Sequence, residues 1–232
     1  MAYGAVTALR DLDLDIHAGE VLALCGDNGA GKSSLVKILA GAQPPSAGTI
    51  ALDGETVAFR SPQDALRRGV ATIYQDLAVA PRLSIWQNVF LGSELTRPPF
   101  GLLDKRRMAE MARGFLARLS VTIADMDTSV ENLSGGQRQA VAICRALRWD
   151  ARIIIMDEPT AALGVKETAQ VLDLIRRLHA EGRTVILVSH AMQDVVAVAD
   201  RVVILKSGRR IADRPVAGLA AADLATMIMQ NA

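Results

Sequence analysis

Gly26-Asp27-Asn28-Gly29-Ala30-Gly31-Lys32-Ser33 follows the apolar run Val21–Cys25 and opens a helix-forming stretch, 32–40. Every fixed position of G-x-x-x-x-G-K-[ST] is matched, in the strand–loop–helix setting that the motif requires. Glycines let successive N–H groups turn inward, and the helix aims the positive end of its dipole at the same point, so the loop is built to hold phosphate. Lys32 is placed to reach the outer phosphates of a nucleotide. The Ser33 hydroxyl, with Ser34 beside it, is placed to offer Mg²⁺ one hard oxygen. A glycine turn that merely caps a helix is the competing reading, and the full match in the right setting argues against it.

Two further stretches belong with this loop. Leu133-Ser134-Gly135-Gly136-Gln137 is a second glycine-rich motif opening a helical stretch, 137–148. Ser134 suits an N-cap, but a cap needs neither Gly-Gly nor Gln137. The unbroken apolar run 152–156 suits a strand covered on both faces and delivers Asp157 and Glu158 to the carboxyl edge of the sheet, where open α/β folds bind ligands. Asp157 is placed to hold Mg²⁺ through its water shell and Glu158 to polarise an attacking water. Alternation along a strand sends the two side chains to opposite sides.

The chain of 232 residues is 50% hydrophobic, enough for a large core, and carries 26 basic and 25 acidic side chains, net +1. That balance gives no electrostatic reason to expect nucleic acid as a partner. No apolar run reaches the roughly 18 residues of a membrane span, and Met1-Ala2-Tyr3 does not open a signal peptide, so any membrane link is expected to run through another subunit. Cys25 and Cys144 lack metal-ligand spacing and read as buried thiols; His17 and His179 read as solvated.

The remaining pattern indicates a P-loop α/β core with a parallel sheet, an N-terminal antiparallel β-subdomain and an inserted helical subdomain. Alternation predicts a strand over 9–16, and Asp53-Gly54 predicts a hairpin joining 49–52 to 56–59. Ser61-Pro62 starts a short helix that Gly69 ends, before a strand over 70–74 that leads to Gln75. Residues 77–149 read as helical, with helices over 85–91, 105–119 (apolar face Met108, Met111, Phe115, Leu119) and 137–148, broken by a loop at Pro98-Pro99-Phe100-Gly101. Helices over 166–180 and 192–199 then alternate with strands over 184–189 and Arg201–Lys206. The core is thus expected over 1–76 and 150–232, with 77–149 as the helical insert.

These residues resemble the ATP-binding subunits of ABC transporters over essentially the whole chain. Residues 133–137 look like the family's signature motif, Ile153–Asp157 with Glu158 its Walker B motif and catalytic base, and Gln75 its Q-loop glutamine. Ser189-His190 looks like its switch histidine. The Asn-Lys-x-Asp of a GTPase is missing. The resemblance implies ATP and Mg²⁺ as cofactors, Mg²⁺ being held by Ser33, Gln75 and Asp157. It implies nucleotide binding by Tyr3, stacked on adenine, and by Gly26, Asn28, Gly29, Gly31, Lys32, Ser33 and Ser34. It also implies that Ser134, Gly135, Gly136 and Gln137 of one protomer close over ATP held by another, in a homodimer around two ATP.

Asp27-Asn28-Gly29-Ala30-Gly31, Ala71-Thr72-Ile73-Tyr74-Gln75-Asp76 and Ser84-Ile85-Trp86-Gln87-Asn88-Val89-Phe90-Leu91-Gly92, with Asp157-Glu158-Pro159-Thr160-Ala161-Ala162-Leu163-Gly164, narrow the resemblance to importers of simple sugars such as ribose, xylose or fructose. Many subunits of that branch contain two fused ATPase halves; one is read here, so a single cassette paired with itself is expected, on the cytoplasmic face of the cell membrane. The branch implies a permease docked on the helical insert and indirectly a periplasmic or extracellular sugar-binding protein; Arg82 and Trp86, if exposed, are the candidate anchors, since Arg and Trp are favoured at protein interfaces. Amino-acid import would use the same catalytic residues; a DNA-repair or translation ATPase, or a P-loop kinase, fits less well. Two departures stand out. The family's first strand would precede Tyr3, and 161–164 has Gly164 where most members carry aspartate.

Overall fold

The computed structural model describes residues 2, 3, 6–74, 77–161 and 163–230, with main chain alone for 2, 3, 6, 7 and 230. Apolar runs become the strands β3 (Val21–Cys25), β6 (Val70–Ile73), β9 (Ile153–Asp157), β10 (Thr184–Val188) and β11 (Arg201–Lys206). With β12 (Arg209–Pro215) they form one sheet in the order β12-β11-β3-β10-β9-β6, parallel except for the antiparallel pair β11–β12. Successive side chains go to opposite faces. Val185 and Leu187 of β10 join one apolar cluster, and Ile186 and Val188 join the other.

Helix α1 (Lys32–Leu39) buries Leu35, Val36 and Ile38 against one face. On the other face lie α5 (Gly135–Arg148) and α6 (Val165–Ala180), while α7 (Met192–Val198) and α8 (Ala221–Gln230) pack together over the β11 side. The N-terminal part carries two antiparallel pairs, β1 (Ala2–Tyr3) with β2 (Val6–Thr7) and β4 (Ile50–Leu52) with β5 (Glu55–Val57). Asp53 and Gly54 have φ of 53° and 82°, the left-handed pair that an Asp-Gly hairpin turn demands. Helix α2 (Pro62–Arg67) starts as expected, Ser61 Oγ accepting from Asp64 N.

Helices α3 (Ile85–Phe90), α4 (Lys105–Arg118) and α5 pack on one another, and their apolar core runs without a break into the sheet. On α4 the inward face is Met108, Ala112 and Leu116, with Leu119 just beyond the helix; Met111, expected inside, is exposed. The expected loop at 98–101 is the turn of a small hairpin, β7 (Thr96–Arg97) with β8 (Leu102–Leu103).

The expected strand over 9–16 does not form. Leu12, Leu14 and Ile16 do pack inward while Asp11, Asp13 and Asp15 face out, so the alternation is genuine. Yet no described strand pairs with the segment. Arg10 N donates to Gly208 O and Arg201 Nη2 to Asp15 O, tying it down at single points instead of along a ladder.

Candidate active site

Leu24 of β3, Val188 of β10 and Asp157 of β9 stand in register across three neighbouring parallel strands. The loops that leave those strands therefore emerge side by side, and they carry Lys32, His190 and Glu158. Gly26 has φ 145°, and a Cβ there would lie 2.2 Å from Leu205 O, so only glycine lets the loop press onto β11. Gly31, with φ 106°, is the N-cap of α1 and brings no side-chain cap. The first-turn N–H groups of Lys32, Ser33 and Ser34 are thus left to an outside acceptor.

Lys32 Nζ donates to Gly26 O (2.6 Å) and Asp27 O (3.0 Å), which holds its charge inside the loop it belongs to. Asn28 and Gly29 form the exposed tip; Ser33 is exposed and Ser34 half-buried. The Asp157 carboxyl is pushed above the usual carboxylate range by burial and by the neighbouring Glu158 charge, with Lys32 acting against the shift. The Cys25 thiol beneath is driven by burial up to about 12.

Strand alternation, expected to separate Asp157 from Glu158, does not extend to Glu158. Asp157 ends β9, but Glu158 has φ 50°, a left-handed turn that re-aims its side chain. Glu158 N donates to Val188 O at 2.9 Å, and His190 Nδ1 lies 2.7 Å from Glu158 Oε2. A third tie, unforeseen in the sequence, is Thr160 Oγ1 donating to Asp194 Oδ2 at 2.7 Å. It links the loop after Glu158 to the helix after His190. Its only sequence signal is a hydroxyl two residues beyond the carboxylates.

Ser134-Gly135-Gly136-Gln137 has a structural account that the sequence reading denied it. Ser134 Oγ accepts from Gln137 N (3.3 Å) while Gln137 Oε1 accepts from Ser134 N (3.0 Å), a complete capping box. A Cβ on Gly135 would lie 2.5 Å from Leu163 Cδ2, and one on Gly136 2.5 Å from Gln170 Oε1, so both glycines admit α6 and the segment before it. Ser134 nevertheless remains exposed at the helix start. Gln75 lies outside the described residues, as does the side chain of Tyr3, whose main chain is in β1. Trp86 is no exposed anchor: it is buried in α3, with Nε1 donating to Asp127 Oδ1 at 2.7 Å, whereas Arg82 is exposed.

Comparison with known proteins agrees with this geometry. The family model described as ABC transporter matches residues 9–161. A fructose import ATP-binding protein of Rhizobium meliloti is 48% identical over 215 residues, 90% of this chain and 83% of that protein. A xylose/arabinose import ATP-binding protein of Sulfolobus acidocaldarius is 47% identical over 210 residues, with the same coverage. A solved dimeric ATP-binding cassette described as bound to ADP and phosphate, MJ0796, superposes with a TM-score of 0.77 at 25% identity, covering 94% of this chain and 96% of its own. With the phosphate-binding loop, the Asp157-Glu158 edge and the Ser134–Gln137 motif in one fold, this chain belongs to the ABC transporter family and is an ATPase.

Proposed function

We propose that this ATPase couples ATP hydrolysis at a homodimer interface to the uptake of a simple sugar through a separate permease. The observation that carries the reading is the convergence of Lys32, Asp157, Glu158 and His190 at one sheet edge, in a chain nearly half identical to a fructose import ATP-binding protein. Residues 1–76 and 150–232 would form the nucleotide core and 77–149 the lobe that meets the permease at the cytoplasmic face of the membrane. A sugar-binding protein outside the cell would deliver the cargo.

In this reading the uncapped first turn of α1 and Lys32 hold the outer phosphates of ATP. Ser33 and Asp157 fit Mg²⁺, a hard ion served by a hydroxyl and a carboxylate beside phosphate oxygens; among the described residues no cluster of three His, Cys, Asp or Glu offers another metal site. When bound, Mg²⁺ neutralises charge on the phosphate oxygens. Glu158, oriented by His190, takes the proton of the attacking water, and His190 stands on the open side next to the γ-phosphate. Gln75 would line the same site and Tyr3 the adenine. Exposed Ser134 and the N-terminus of α5 would close over ATP held by the partner subunit.

Mixing one subunit bearing Ser134→Arg with one bearing Lys32→Ala tests the composite site. Each homodimer is inactive, whereas the mixed dimer keeps one undamaged site and regains partial hydrolysis. No recovery at any ratio overturns the shared-site reading. Uptake of labelled fructose, xylose and ribose by cells carrying the subunit with its permease, against a Glu158→Gln control, tests the cargo. Uptake of none of them removes the sugar assignment and leaves the ATPase.

A further inference from the structure

The β7–β8 hairpin stands off the helical lobe uncovered. Residues 96–103 are exposed without interruption, Phe100 to 84% and Leu102 to 68%. Leu102 and Leu103, being successive strand residues, point to opposite faces, and both are exposed. So short a hairpin is marginal by itself. It is braced here: Arg97 pairs with Asp104 at 3.1 Å, Gly101 N donates to Arg97 O at 3.1 Å, and Asp104 N to Leu95 O at 2.7 Å. The apolar tip is therefore held out on a structured support.

Directly behind the tip, Lys105, Arg106 and Arg107 open α4, all exposed. Three cations at the positive end of a helix dipole work against the helix, and the N-cap Asp104, its carboxylate accepting from Arg107 N at 3.2 Å, is the one acidic side chain there to offset them, the first turn itself holding none. Glu110 engages Arg106 at 2.9 Å, while Lys105 and Arg107 form no side-chain ion pair among the described residues. The charge left on Lys105 and Arg107 suits an anionic surface outside the chain.

We propose that the hairpin is a membrane-surface anchor. Phe100, Leu102 and Leu103 enter the acyl boundary of an anionic bilayer, and Lys105, Arg106 and Arg107 lie at the level of the lipid phosphates with their stems along the apolar zone. A wedge bare on both faces fits immersion in a fluid apolar medium; a protein groove would call for one apolar face. No helix among the described residues is long and apolar enough to cross a membrane, and this contact needs none. It is independent of the sugar reading, because the isolated subunit suffices to test it.

The test is flotation of the purified subunit with vesicles of phosphatidylcholine alone or mixed with phosphatidylglycerol. The protein is expected on the mixed vesicles only, and less at high salt. Phe100→Ser with Leu102→Ser should weaken partitioning about tenfold to a hundredfold, and Lys105→Glu with Arg107→Glu should abolish the preference for anionic lipid, ATPase activity in solution being unchanged in both. As a second readout, Phe100→Cys carrying an environment-sensitive fluorophore should shift to the blue on mixed vesicles; Cys25 and Cys144 are buried and stay unlabelled. Failure of active, folded protein to float, or equal flotation of the serine variant, overturns the proposal. So does a hairpin that binds no vesicle but whose substitution releases a co-purified permease in detergent, since that makes it a protein contact.

Discussion

His190 Nδ1 sits 2.7 Å from Glu158 Oε2, joining the ends of two adjacent parallel strands. The glutamate side chain is 17% exposed and the histidine 72%, so the shielded carboxylate is held from its open side. Orientation of this kind limits a general base to one approach, which favours proton transfer in a single geometry.

Glu158→Gln keeps the shape but not the basicity. Hydrolysis is expected to fall by roughly 10²–10⁴-fold, the usual contribution of a positioned base, with nucleotide binding retained. Single-turnover hydrolysis and a nucleotide-binding titration separate the two. His190→Ala should cost less, since the base remains, and turnover by Glu158→Gln at the wild-type rate would remove the assignment.

Asp157 trades stability for function. Its folded pKa lies above the ordinary value, chiefly through burial, so the native state holds its proton more tightly than the unfolded chain does. Stability on this account is highest below the ordinary carboxylate range and falls as pH rises through the raised value. Asp157→Asn should therefore raise the melting temperature of nucleotide-free protein at neutral pH, show no gain in acid, and abolish Mg²⁺-dependent hydrolysis. A lowered melting temperature at neutral pH would contradict this.

Two glycines should respond differently to alanine. At Gly26 the new methyl meets the backbone of Leu205 in a left-handed conformation, and a loss on the order of 3 kcal/mol or more is expected in denaturant melts. At Gly135 it meets only the tip of Leu163, and the gain in helix propensity of up to about 1 kcal/mol offsets the crowding. Gly135→Ala should thus fold normally yet hydrolyse ATP slowly, and adding Leu163→Ala should restore the rate.

Trp86 and Arg82 also separate. Trp86→Ala removes a buried ring and leaves Asp127 without its partner, costing about 3–5 kcal/mol. Exposed Arg82→Glu should stay within about 0.5 kcal/mol of wild type. In reconstituted transporter it should keep basal ATPase activity and lose stimulation by permease. Equal loss of both activities would assign Arg82 to the fold.

The phosphate-binding loop, the apolar strands of the sheet and the cap at Ser61 were legible because short-range rules govern them: glycine φ, apolar period, capping residues. The strand expected over 9–16 shows the limit, since alternation reports which side is wet and not whether a neighbour offers a ladder. Strand β12 escaped because Arg209, Arg210 and Arg214 are exposed and Asp213 turns in to pair with Arg201, which leaves little apolar period. Strands of two residues, as in β7 and β8, have no period to read. Trp86 misled because a tryptophan among polar residues looks the same whether it faces a partner or Asp127. The Thr160–Asp194 tie spans 34 residues and is set by strand register, which only the folded sheet reveals.

Leu163 packs on Gly135 so closely that a Cβ there would lie 2.5 Å from it, and Leu163 N donates to Thr160 O, a turn that overlaps the one from Glu158 O to Ala161 N. That contact behaves like a pawl resting on a tooth. A shift of the turn at Glu158 that carries Leu163 with it presses on the start of α5. In the proposed dimer this helix end serves the partner's nucleotide, so what happens at one site is felt at the other through steric push alone. Such a link, hydrocarbon against backbone, carries no charge and would be insensitive to salt.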